Sequence, residues 1–79
     1  MKLRVKLYGT FARRRPGYQA SKGLEVEIPP EMLVKDLLSL LEIDEDQGGV
    51  VLVDGRILKS EDSIPSGVEV QIFQSVHGG

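Results

Sequence analysis

The chain has no cysteine and no tryptophan, one histidine, and aromatic residues at only 5 % of its 79 positions. Without cysteine there is no disulfide, no thiolate metal site and no Cys nucleophile. A zinc site would need several carboxylates around His77, and the sequence shows no such cluster, so the expected metal content is none. Asp44-Glu45-Asp46 lacks the glycine and spacing of a calcium loop and reads as an acidic loop at a helix end. No apolar run approaches transmembrane length, and the alternating Met1-Lys2-Leu3-Arg4-Val5-Lys6 excludes a signal peptide's apolar region. These absences lead to the expectation of a cytoplasmic protein with no membrane partner. A formal net charge of −2 and a pI near 5.3 argue against a nucleic-acid partner, which requires an excess of Lys and Arg. With no nucleophile and base pair and no metal cluster, an independent enzyme is not expected.

What is present fits one domain spanning residues 1–79, because a chain of this length cannot build a second core. Leu3, Val5 and Leu7 alternate with Lys2, Arg4 and Lys6, the pattern of a strand with one wet face. Leu24, Val26 and Ile28 alternate with Glu25 and Glu27 in the same way, and the basic and acidic outer faces would complement each other in a hairpin. Between them, Gly9 to Gly23 has breakers and no sustained period, and reads as a long connection carrying Arg13-Arg14-Arg15. Pro29-Pro30 stops the second strand. Val34, Leu37, Leu38 and Leu41 then form a helical stripe, although no Ser, Thr, Asp or Asn cap precedes Val34. Val50 to Val53 is a continuous apolar run, expected of a strand covered on much of both faces. Asp54-Gly55 is a two-residue hairpin turn into Arg56-Ile57-Leu58, and Val68, Val70 and Ile72 alternate in a last strand. One helix with one apolar stripe and five strands with one buried face each predict an α+β fold, the helix lying across a single mixed sheet. The sheet is mixed if the first and last strands pair in parallel at its centre.

Three segments carry a family likeness: Val51-Leu52-Val53-Asp54-Gly55, Ile64-Pro65-Ser66-Gly67-Val68-Glu69-Val70-Gln71-Ile72-Phe73, and the terminal Val76-His77-Gly78-Gly79. Together with Val34-Lys35-Asp36-Leu37-Leu38 and the strand from Leu3 to Tyr8, they resemble the MoaD/ThiS family, and nearer MoaD in length and first loop. These are the small subunit of molybdopterin synthase and the sulfur carrier of thiamine biosynthesis. The resemblance implies a β-grasp (ubiquitin-like) fold and a defined chemistry. An E1-like activating enzyme consumes ATP to adenylate the C-terminal carboxylate, here that of Gly79. Sulfur from a partner's persulfide converts the acyl-adenylate to a thiocarboxylate. The large subunit of a synthase, or another sulfur-accepting enzyme, then receives the sulfur, while the carrier itself binds no cofactor. The resemblance points first to molybdopterin synthesis and leaves open thiamine or another sulfur route. Conjugation of Gly79 to a target lysine, as in ubiquitin, and an interaction domain with an inert tail also stay open.

The residues support this chemistry on their own terms. Gly78 and Gly79 lack Cβ, so the backbone can thread a narrow channel and adopt φ values that other residues resist. At about 7 % Gly per position, chance gives both in roughly 0.5 % of chains, which makes an accidental pair a poor explanation. The tail, residues 75–79, is expected to be flexible, with Val76, Gly78 and Gly79 entering the partner and Gly79 as the reacting residue. Tyr8 and Phe73 sit on the opposite parity from their strands' core residues. If those strands are neighbours, the two rings form an apolar docking patch near the tail; otherwise they cover a sheet edge and pack under a loop. His77 and Arg13, Arg14 and Arg15 are candidates for partner contact, with plain solvation as the competing reading.

Overall fold

The computed structural model describes residues 1–44 and 47–74; Glu45, Asp46 and positions 75–79 lie outside the described residues. Lys2–Leu7 forms β1, with Leu3, Val5 and Leu7 buried and Lys2 and Arg4 exposed, as the alternation predicts. Leu24–Glu27 forms β2, antiparallel to β1, with Lys2 opposite Glu27 and Arg4 opposite Glu25. The facing charges meet: Glu25 lies 3.5 Å from Arg4 and 3.8 Å from Lys2. Such exposed pairs contribute at most about 1 kcal/mol each. Their larger effect is on register, since a slip by one residue would turn Glu25 and Glu27 into the core.

The connection between these strands is not wholly irregular. Thr10–Arg13 makes a single helical turn, α1, which corrects the reading of Gly9 to Gly23 as a loop throughout and places Arg13 in a helix. Phe11 is buried and anchors the turn, while Gly9 enters it at a positive φ of 63°. Further on, the Tyr18 hydroxyl accepts from the Leu7 N–H at 2.8 Å and donates to the Leu7 carbonyl at 3.2 Å. Both unpaired backbone groups at the end of β1 are thereby satisfied by one side chain. Gly23 returns the chain to the sheet at φ 69°, where a Cβ would stand 2.8 Å from the Val5 carbonyl oxygen. No other residue fits that approach without displacing backbone.

Val34–Leu40 forms α2, with Val34 and Leu37 buried and Leu41 buried just past its end. Leu33 stands at the cap position and offers no side-chain acceptor. Instead the Val34 and Lys35 N–H groups donate to the carbonyls of Asp62 and Ser60 at 2.9 and 3.0 Å, so a distant loop caps the helix. At the other end, Ile43 N–H donates to the Leu38 carbonyl and Glu42 N–H to that of Ser39, with Glu42 at φ 61°. This is a Schellman termination with glutamate in the position glycine usually holds.

Gly49–Val53 forms β3 and Arg56–Leu58 forms β4, joined by Asp54 (φ 52°) and Gly55 (φ 78°) in a type I′ turn. Glu69–Gln74 forms β5. The sheet order is β2-β1-β5-β3-β4, with β1 and β5 parallel at the centre and every other pair antiparallel. That is the mixed five-stranded sheet of a β-grasp fold, with α2 as its main helix. One core unites Leu3, Val5 and Leu7 of β1 with Val51, Val70 and Ile72 of the central strands and Val34 and Leu37 of α2.

Candidate functional site

The expected reactive end follows β5, so the site is built from whatever surrounds the last described turn of that strand. β5 is paired on both edges: Leu7 faces Ile72 on one side, while Val50 faces Phe73 and Gly49 faces Gln74 on the other. A side chain's face follows from parity and register. Ile72 pairs with Leu7 and Val51 and points into the core, so Phe73 points to the open face of the sheet. The Tyr8 N–H donates to the Ile72 carbonyl at 3.1 Å, which extends the parallel ladder by one residue. The Tyr8 and Phe73 rings consequently stack, with centroids 4.3 Å apart and planes 8° from parallel. Stacked aromatic pairs contribute about 0.5–1.5 kcal/mol beyond their buried area.

The pair belongs to a larger apolar surface that sequence reading missed. Leu52 is opposite Ile57 and Gln71, so Leu52, Ile57 and Val50 share the open face with Phe73 and Tyr8. Ile57 is 68 % exposed and Tyr8 37 %. The open face is thus divided: β2 and most of β1 present charges, Glu25 paired with Lys2 and Arg4, while Tyr8 just past β1 joins Phe73 of β5, Val50 and Leu52 of β3 and Ile57 of β4 in an apolar patch bordered by Gln71. The signal for Val50 and Leu52 lay in the unbroken apolar run of β3, read as a strand covered on both faces. One face is covered by the core; the other is not.

The arginine cluster lies at the same end of the molecule. α1 packs against β5, and Arg13, Arg14 and Arg15 follow from it, Arg13 and Arg14 exposed and Arg15 half-buried. Arg13 donates to the Thr10 hydroxyl at 3.3 Å, and Arg15 donates to the Leu41 carbonyl at the end of α2, also at 3.3 Å. A cation there complements the helix dipole. None of the three makes an ion pair among the described residues. Val76, His77, Gly78 and Gly79 lie outside the described residues, and so does the expected flexible tail over 75–79. Tyr8 and Phe73 are brought together; the arginines form a separate feature flanking them.

No helix among the described residues is long and apolar enough to cross a membrane. The model of the ThiS family matches residues 7–79. A search of curated proteins finds no significant match. Among solved structures, the crystal structure of SAMP1 from Haloferax volcanii matches with a TM-score of 0.69 at 20 % identity, covering 100 % of both chains. At that identity the likeness speaks for the fold.

Proposed function

Since the chain belongs to the ThiS family, we propose that it is a sulfur carrier working through the carboxylate of Gly79. The observation that supports this reading most is that Gly78-Gly79 follow, after only three intervening residues in sequence, a strand held on both edges at the centre of the sheet. In this reading the domain is a handle and the last residues are the reagent. An E1-like enzyme brings the carboxylate oxygen onto the α-phosphorus of ATP, expelling pyrophosphate. A partner's persulfide sulfur then attacks the acyl carbon and AMP leaves. A second thiol of that partner takes up the inner sulfur as a disulfide and frees the thiocarboxylate. The carrier is a co-substrate throughout and supplies no acid, base or metal.

Tyr8, Phe73, Val50, Leu52 and Ile57 form the face on which the activating and sulfur-accepting proteins bear, beside the channel that takes Val76 to Gly79. The destination of the sulfur is most consistent with molybdopterin synthesis in the company of a large synthase subunit, on the chain's length and long first connection.

Intact mass of the protein produced beside its own partners tests the reading. The expected result is an oxygen-to-sulfur exchange at Gly79. An isopeptide adduct would make the chain a protein modifier, and an unaltered mass would end the carrier proposal. Deleting Gly79, or adding one residue after it, should abolish sulfur transfer and leave the thermal transition unchanged.

A further inference from the structure

Between α1 and the end of α2 lies a cleft of about 270 Å³, which the sheet-face patch does not include. Its floor is buried and apolar, made by Phe11, Leu41 and Ile43, and its rim carries Arg14, Arg15 and Leu40. Leu40 is 50 % exposed although it belongs to α2. The helical stripe explains Leu37 and Leu41 and gives no reason for an apolar residue at position 40. Arg15 spends one N–H on the Leu41 carbonyl, and a guanidinium has further donors to offer. Among the described residues Glu42 is the one carboxylate on the rim, and it makes no ion pair there with either arginine.

Charge is not spread evenly over the chain. Residues 1–24 hold no Asp or Glu, and while Lys2 and Arg4 are paired with Glu25 on the sheet face, Arg13, Arg14 and Arg15 make no ion pair among the described residues, so the α1 wall of the cleft is basic in a protein whose net charge is −2. An acidic partner segment is therefore favoured along the α1 wall of the cleft, where Arg14 and Arg15 outnumber the Glu42 carboxylate across from them. Size narrows the occupant further. Cofactor and drug-sized pockets run from roughly 300 to 1,000 Å³; this cleft lies at the bottom of that range and has room for one leucine- or phenylalanine-sized side chain. We propose that the cleft between α1 and α2 is a docking site for an acidic peptide segment of a partner protein. One leucine- or phenylalanine-sized side chain enters over Phe11 and Leu41, and flanking Asp or Glu carboxylates engage Arg14 and Arg15. The site is independent of the chemistry at Gly79, and a chain with an inert tail would keep it.

The test is a titration of isotopically labelled protein with an acetylated Asp-Glu-Leu-Glu-Asp amide, followed by amide chemical shifts. Saturable shifts are expected at Phe11, Arg14, Leu40 and Leu41, weakening as salt rises. Replacing the peptide leucine by alanine, or Arg14→Gln in the protein, should each weaken binding about ten-fold, the effect of about 1.4 kcal/mol. Arg14 and Leu40 are exposed, so Arg14→Gln and Leu40→Gln should keep the parent thermal transition, which separates lost binding from lost folding. Protein lacking Gly78 and Gly79 should bind equally well. Shifts confined to the sheet face, indifference to the leucine, dependence on the two glycines, or tighter binding of a short single-stranded RNA would each overturn the proposal.

Discussion

Glu42 holds a left-handed conformation, φ 61°, that costs a residue with a Cβ roughly 1–2 kcal/mol. It also places a negative charge at the negative end of α2. Glu42→Gly is therefore expected to raise stability by about 1 kcal/mol, read as a higher urea midpoint at unchanged slope. Gly23→Ala should act in the opposite direction, lowering stability by about 1–3 kcal/mol, because its Cβ would press on the Val5 carbonyl oxygen. Sequence revealed residue-scale features where residue type and conformation agree, as at Asp54-Gly55, whose turn forms as read. It was silent at Glu42, because nothing in a glutamate announces a positive φ. Parity placed Tyr8 and Phe73 on the open face, and the stacking confirms that they are neighbours.

Among the elements, α2 begins without a side-chain cap and borrows its acceptors from the connection after β4. The Asp62 Oδ2 accepts from the Lys59 N–H at 2.7 Å and fixes the turn that presents those carbonyls. Lys35 adds an ion pair with Glu61 at 3.2 Å, exposed and worth little. Asp62→Ala should cost about 1 kcal/mol. Hydrogen exchange at Val34 and Lys35 should quicken while the β1 and β5 amides keep their protection. The missing cap was legible in Leu33; its remedy was not, since the acceptors lie more than twenty residues away in sequence. α1 escaped for a different reason. Four residues are barely one turn, too few to display a period, and only the burial of Phe11 marks it.

For the molecule as a whole, the β2-β1-β5 part of the strand order was readable because strong alternation marked the first and last strands and charge matched the first to the second, whereas nothing in the sequence paired β3 with β5. The parallel central pairing followed from topology. The open face was harder to read, since Val50, Leu52 and Ile57 look like core residues in a linear sequence and only register reveals that they face outward. Ile72 and Ile57 make the contrast measurable. Ile72 is fully buried between β1 and β3, and Ile72→Ala should cost about 2–5 kcal/mol of the 5–15 typical of a small domain. Ile57→Ala should stay within about 0.5 kcal/mol of the parent in the same urea titration, while weakening the complex with the activating enzyme.

The central position of β5 also decides how the molecule bears mechanical load. A partner that draws the chain onward from Gln74 pulls a strand clasped by β1 and β3 along its axis, so the bonds on both flanks resist in shear together instead of peeling singly. The body can then be tugged at its end without coming apart, and an unfolding motor that engages that end should stall where one starting at an edge strand would not.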